Sequence, residues 1–168
     1  MPIIGVDSSG HVKSPPIYFV ATRKSGRKGQ RVSLVRISAS KHGEYIQLVQ
    51  KIKLLNWFEK VSAVLIFKTI LGVYFAHDSI NIDTDFTGRT REYVKEYLRR
   101  LFLDKFAGDS KRNNPSITFV SSRTDENVSD ADIKSKRAKD IKKAPIEIQR
   151  RWRIVRNPEI TTELDLLK

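Results

Sequence analysis

An aspartate at the end of the first apolar run is the residue in this chain most suited to chemistry. Residues 2–6 (Pro-Ile-Ile-Gly-Val) predict a short buried strand, Asp7 follows directly, and Ser8-Ser9-Gly10 is a turn sequence that ends the strand. Asp7 is therefore expected at the carboxyl end of a strand, where open α/β sheets place their ligand sites. The alternative is an aspartate that only hydrogen-bonds the adjacent turn.

Clustered basic residues are the second feature with chemical meaning. The chain has 32 Lys and Arg against 19 Asp and Glu, a net charge of +13, which implies a polyanionic partner, nucleic acid before an anionic membrane surface. The alternative is that these basic residues form ordinary solvent-exposed surface and bind no partner. The nucleic-acid-binding candidates lie in a glycine-containing loop and in the C-terminal third: Arg23, Lys24, Arg27, Lys28, Arg31, Lys134, Lys139, Lys142, Lys143, Arg150 and Arg151.

Composition excludes several other classes of function. There is no cysteine, so disulfides, thiolate metal sites and a cysteine nucleophile are excluded, and three scattered histidines do not form a usual zinc site. The longest apolar stretch, 61–76, is interrupted by Lys68 and is shorter than the roughly 20 residues of a membrane span. No leader peptide is visible, so we expect a cytoplasmic protein without a membrane partner.

Hydrophobic periodicity predicts alternating strands and helices. The apolar and alternating segments predict five strands, at 2–6, 17–22, 32–37, 79–85 and 117–121. Helices are expected at 42–60, at 61–74 (where a strand is the alternative), at 90–106 and from about 129, with Pro145 as a break. Residues 146–155 are expected to form a short helix and those from Pro158 a tail.

Carboxylates recur at the ends of several of these elements. Gly43-Glu44-Tyr45 is expected to open the helix after the third strand, and Ile82-Asp83-Thr84-Asp85-Phe86 ends the fourth strand. Glu126-Asn127-Val128-Ser129-Asp130-Ala131-Asp132-Ile133 leads into the helix after the fifth. This β-β-β-α-β-α-β-α order, with an acid ending the first strand, resembles the ribonuclease H-like superfamily over about residues 2–143.

The resemblance implies a fold, a site and an activity. The fold would be α/β, with a mixed five-stranded sheet whose first three strands are antiparallel, flanked by helices. The implied domain spans 1–143, followed by a basic extension, 144–168. The implied catalytic residues are Asp7, Glu44, Asp85 and Asp132, and the implied metal ligands are those four together with Asp83 and Asp130.

The chemistry gives these acids a reason to converge. Hydrolysis of a phosphodiester by two metal ions needs hard oxygen ligands for Mg²⁺ or Mn²⁺ about 4 Å apart. Carboxylates so close together are costly without the cations. We therefore expect a metal-dependent nuclease acting on RNA, an RNA/DNA hybrid or branched DNA.

Each acid also has a structural explanation. Glu44 can interact favourably with the positive end of its helix, and Asp132 lies three residues after Ser129, the spacing of a capping box. Asp125 remains a further contender for the last ligand. A non-catalytic nucleic-acid-binding module of the same fold is accordingly the alternative function. Gly5 to Gly10 also resembles the first phosphate loop of actin-like ATPases, which need two domains and a far longer chain.

Overall fold

The computed structural model describes residues 3–9, 17–24, 30–83, 86–137 and 152–168. These residues form an α/β structure, a mixed six-stranded sheet flanked by helices. In chain order the elements are β1 (Ile3–Ser9), β2 (Ile17–Lys24), β3 (Gln30–Ile37), α1 (Ala39–Lys51), α2 (Trp57–Leu71), β4 (Ser79–Asp83), α3 (Gly88–Lys105), β5 (Ser116–Val120), α4 (Glu126–Arg137), β6 (Trp152–Arg156) and α5 (Thr161–Leu166).

Strand directions place most strand ends on one side of the sheet. The spatial order is β5-β4-β1-β2-β3-β6, with β2 antiparallel to β1 and β3 and every other pair parallel. Short links permit the antiparallel β1-β2-β3 meander, whereas parallel neighbours need longer crossovers. The carboxyl ends of β1, β3, β4, β5 and β6 therefore lie along one edge, which we call the carboxyl edge.

The prediction of five strands was wrong, because a sixth strand joins β3. Residues 146–155 were expected to be helical, but Trp152–Arg156 is a strand in parallel register with β3, from Val32 opposite Trp152 to Arg36 opposite Arg156. The sequence Trp-Arg-Ile-Val-Arg is rich in aromatic and β-branched residues, which fit a pleated surface better than a helix.

One face of the sheet is covered by α2, which is buried along most of its length. Ile4, Val6, Ile80 and Ile82 belong to the same apolar core as the helix. Residues 61–67 of α2 are all buried, because the helix packs against the sheet and against α3. The helix predicted over 61–74 is therefore present, and a helix that is apolar on all sides is expected in such a position.

The single helix predicted over 42–60 is two helices instead. The first begins at Ala39, after the N-cap Ser38, and ends at Lys51, while the second begins at Trp57. Between them, Lys53 and Asn56 adopt left-handed backbone conformations with φ of 49° and 53°. Buried Leu54 lies in this connection, so the apolar periodicity continues across a break in the backbone.

The opposite face of β1 and β2 is covered by α4. A Cβ atom on Gly5 would lie only 2.0 Å from the carbonyl oxygen of Asn127, so the helix backbone approaches the strand at a point where only glycine fits. The hydroxyl of Thr22 on β2 donates to the same carbonyl at 3.4 Å. Gly5 and Thr22 are directly paired across the two strands, and both therefore face α4.

The C-terminal residues are also part of the core. Ile160, Leu164 and Leu167 are buried in the same cluster as α2, so the expectation of a tail from Pro158 was wrong. The predicted boundary between residues 143 and 144 lies outside the described residues. The described part of the predicted extension, 152–168, contributes β6 and α5 to the common sheet and core.

Over the described ranges, no helix combines the length and apolar character needed to cross a membrane.

Candidate active site

Two of the predicted carboxylates lie side by side at the carboxyl edge. Val6 of β1 is paired with Ile82 of β4, so Asp7 and Asp83 each follow the last pair of the parallel ladder. Strand β1 itself continues to Ser9 in its pairing with β2, so the predicted turn at Ser8-Ser9 was wrong and Asp7 lies within the strand. Side chains alternate along a strand, which puts both aspartates on the face that carries Gly5 and α4. Asp7 is only 3 % exposed, and Asp83 is half-buried.

A small cavity adjoins this pair. It has a volume of about 10 Å³ and is lined by Asp7 and Asp83 together with five apolar residues, Val6, Phe19, Ile66, Ile82 and Phe86. That volume is close to what one water molecule needs. Because its other walls are apolar, the cavity is not itself suited to an ion, and a cation held by the two carboxylates belongs on their α4-facing side.

Asp132 is paired with a lysine on α4, the helix that packs against β1. The carboxylate of Asp132 forms an ion pair with Lys136 one helical turn later, at 2.9 Å. The pKa of Lys136 is raised, first by its hydrogen bond with Asp132 and then by the charge of Asp132, with a smaller contribution from the charge of Asp7. Helix α4 thus carries the Asp132 carboxylate and the Lys136 ammonium on the side of the sheet on which Asp7 lies.

Asp125, the further candidate for the last ligand, has a structural role. The Asp125 carboxylate accepts the backbone N–H of Val128 at 3.0 Å and the side-chain amide of Asn81 at 2.9 Å, so it caps α4 and ties that helix to β4. The expected start of the helix near Ser129, with its capping-box explanation of Asp132, was therefore wrong. Asp130 lies 3.8 Å from the ammonium of Lys24, a residue at the far end of β2 from the Asp7–Val20 pair.

Glu44 is held in a separate network. It pairs with Lys41 at 3.1 Å, and Lys41 also pairs at 2.7 Å with Glu159, which follows β6. Both carboxylates raise the pKa of Lys41, chiefly through their hydrogen bonds to it. Because α1 begins at Ala39, Glu44 lies in the second turn rather than the predicted first, on the β3 and β6 side of the sheet.

The donor set fits a divalent cation in part. Asp7 and Asp83 offer hard oxygen ligands on neighbouring strands, which is the ligand type that Mg²⁺ and Mn²⁺ prefer. Within the residues described, no group of three or more His, Asp or Glu is placed to hold a metal ion. Asp85, the remaining predicted ligand on this strand, lies outside the described residues.

Of the predicted basic contacts, Arg23 is engaged internally. Its guanidinium donates two hydrogen bonds of 3.2 Å to the fully buried carboxylate of Asp78 and lies 4.6 Å from the centre of the Phe75 ring. Asp78 also accepts the backbone N–H of Phe75 at 2.6 Å. Arg23 thus neutralises the buried charge of Asp78. The sequence pattern did not indicate this role for Arg23.

The other described basic candidates are more accessible. Lys24 pairs with the exposed Glu126 at 3.3 Å, the Arg31 guanidinium lies 5.2 Å from the Phe75 ring centre, and Lys134 is half-buried on α4. The remaining predicted contacts fall outside the described residues: Arg27, Lys28, Lys139, Lys142, Lys143, Arg150 and Arg151.

Comparison with models of known protein families gives no match to this chain, and comparison with curated proteins gives none either.

Proposed function

We propose that the protein is a metal-dependent nuclease with a ribonuclease H-like fold. The observation that carries the proposal is the placement of Asp7 and Asp83 on one face, directly after the last register pair between the parallel strands β1 and β4.

The strand directions in the sheet also support the proposed fold. Its first three strands are antiparallel and its fourth and fifth run parallel to the first, the mixed arrangement that the resemblance implies. The net charge of +13 suits a phosphate-rich substrate. In this proposal Asp7 and Asp83 hold the metal, with Asp85 as a further ligand, and Asp132 and Lys136 stand beside them.

The reaction would be hydrolysis of a phosphodiester bond. Water adds its oxygen to phosphorus, one P–O ester bond breaks, and the proton passes to the leaving oxygen. Mg²⁺ or Mn²⁺ would supply an activated water and charge stabilisation at this site. Asp7 and Asp83 would hold and orient the cation, and the Lys136 ammonium would attract the substrate phosphate.

Replacing Asp7 with Asn tests the proposal. The variant keeps the size of the side chain but loses its charge, so metal-dependent cleavage of RNA, hybrid and branched DNA substrates should fall by at least about 100-fold, while binding stays equal or tightens. Cleavage is measured with Mg²⁺, with Mn²⁺ and with EDTA, and binding is measured without metal. Asp104→Asn, an exposed aspartate on α3, is the matched control.

A second variant keeps this test decisive if Asp7→Asn folds poorly. Asp83 is less buried, so Asp83→Asn should fold and should lose metal-dependent cleavage in the same way. Full cleavage in both variants would refute the proposed metal site.

A non-catalytic nucleic-acid-binding module is the second candidate, and one observation favours it. The Lys136 ammonium already lies near Asp132 and Asp7, so a lysine supplies positive charge where the nuclease would bind a cation. This candidate predicts binding without cleavage, and an unfolding temperature that is the same in Mg²⁺ and in ionic-strength-matched NaCl.

A further inference from the structure

A second pocket lies at the carboxyl edge, between the ends of β3 and β6. It has a volume of about 180 Å³ and is lined by Arg36, Ser38, Arg156 and Asn157. The volume is far above the roughly 10–15 Å³ that a single water needs.

Two arginines occupy directly paired positions in this pocket. Arg36 and Arg156 are register partners in the parallel β3–β6 ladder, so their side chains start from neighbouring positions on the same face. Like charges directly opposite one another destabilise a sheet. No carboxylate of the described residues lies within 4.0 Å of either guanidinium.

The surrounding contacts hold the pocket in shape. The backbone N–H of Asn157 donates to the Arg36 carbonyl at 2.8 Å, and the Asn157 side-chain oxygen accepts the Ser38 N–H at 2.8 Å. Asn157 thereby links the segments after β3 and β6, with a left-handed φ of 50° that asparagine tolerates. The Arg36 guanidinium lies 5.7 Å from the centre of the buried Tyr18 ring.

We infer that this pocket binds a phosphate group. Arginine presents several N–H donors in a plane that matches phosphate oxygens, and a bound phosphate would relieve the repulsion between the two guanidiniums. A carboxylate ligand would carry less negative charge and is the weaker fit to two paired arginines.

The position of the pocket indicates where that phosphate comes from. Asp7 is paired with Val20, and Val20 with Leu34, so Arg36 lies two strands across and two residues along from Asp7, on the same face. Strand spacing and rise put their Cα atoms roughly 12 Å apart. A nucleic-acid backbone can span that distance, so the pocket holds a backbone phosphate of the strand that lies on the Asp7–Asp83 face. This last step rests on the proposed function.

Thermal unfolding in inorganic phosphate tests the pocket without nucleic acid or cleavage. Phosphate should raise the unfolding temperature of the wild-type protein relative to NaCl of the same ionic strength. Arg156→Gln on the exposed end of β6, and Arg36→Met, which keeps an apolar contact with Tyr18, should lose that rise. Arg99→Gln, an exposed arginine on α3, is the control and should keep it. An equal rise in all four proteins would overturn the phosphate pocket.

Binding of a short oligonucleotide then identifies the source of the phosphate. Arg36→Met/Arg156→Gln should lower the affinity about 10-fold in low salt and should reduce the slope of log affinity against log salt by about one. A phosphate-dependent rise in unfolding temperature together with an unchanged slope would overturn the backbone assignment and leave a free phosphate or a small phosphorylated molecule as the ligand. Since neither readout involves cleavage, loss of the nuclease proposal through Asp7→Asn leaves this result intact.

Discussion

At the level of single residues, Asp78 is a carboxylate whose structural role is fully described by its contacts. Its side chain is fully buried, and its oxygens accept two hydrogen bonds from Arg23 and one from the backbone of Phe75. It lies before β4, at the opposite edge of the sheet from Asp7 and Asp83. Its contacts with Arg23 and Phe75 thus account for the burial of this carboxylate.

Arg23 is therefore expected to contribute to stability rather than to nucleic-acid binding. Arg23→Met would leave Asp78 buried without its counter-charge and should reduce the free energy of unfolding by about 3–5 kcal/mol. Lys24→Met, which breaks an exposed pair, should cost less than about 1 kcal/mol. Urea unfolding of the two variants measures the difference, and equal losses would contradict this role for Arg23.

Gly5 makes a second prediction at the same scale. Gly5→Ala would place a methyl group against the backbone of Asn127 and Val128, which cannot move as a flexible side chain can. We expect a loss of about 1–3 kcal/mol, as for other overpacked sites, together with displacement of α4. Gly43→Ala on α1 meets nothing within 4 Å and should instead stabilise the protein by up to about 1 kcal/mol.

Thermal unfolding compares these two glycine variants directly. If Gly5→Ala leaves the unfolding temperature unchanged or raises it, the close approach of α4 to β1 is wrong. Since α4 carries Asp132 and Lys136, Gly5→Ala should also weaken whatever activity depends on Asp7.

At the level of elements, the sequence predicted the helices and strands whose hydrophobic pattern lies within one short stretch of the chain. β2, β3 and β5 lie within two residues of their predicted bounds, and α3 runs over Gly88–Lys105 against a predicted 90–106. The short β6 strand was missed, because its pairing with β3 joins residues more than 100 positions apart. Only the assembled sheet could show that these five residues form its outer strand, beside β3.

The C-terminal helix allows a matched test of such long-range packing. Leu164 is fully buried in the main core, whereas Leu166 on the same short helix is 41 % exposed. Leu164→Ala should reduce the free energy of unfolding by about 2–5 kcal/mol, and Leu166→Ala should change it by no more than about 0.5 kcal/mol. Chemical denaturation measures both, and a small effect at Leu164 would show that residues after Pro158 do not stabilise the fold.

At the scale of the whole molecule, the candidate site could be predicted only in part. Asp7 was predicted from the apolar run that precedes it, whereas Asp83 was predicted, beside Asp85 on the fourth strand, only through the resemblance to the ribonuclease H-like superfamily. The position of Glu44 depended on the start of α1, which the Ser38 cap places before His42. The Arg36–Arg156 pocket could not be predicted at all, since it needs the register of a strand that the sequence pattern did not reveal.

The distribution of the +13 charge gives the last prediction. Each phosphate neutralised by a lysine or arginine releases counterions, so the slope of log affinity against log salt reports the number of phosphate contacts. We expect the wild-type protein to bind nucleic acid without sharp sequence preference and with a steep salt dependence. Replacing the predicted contacts Lys139, Lys142, Lys143, Arg150 and Arg151 with Ala should flatten that slope by up to about four units.

A second five-fold variant separates these contacts from the general effect of charge. It removes the same number of charges from exposed positions on α1, on α3 and in the loop after α3: Lys51, Arg89, Arg99, Lys105 and Lys111. Both variants carry a net charge of +8, since each loses five positive charges from a net charge of +13. If binding depends on a defined surface, the control should keep a slope close to that of the wild type, whereas general attraction would lower both slopes equally. Fluorescence anisotropy of a labelled oligonucleotide over a range of NaCl concentrations gives all three slopes, and equal flattening in the two variants would refute a defined C-terminal contact surface.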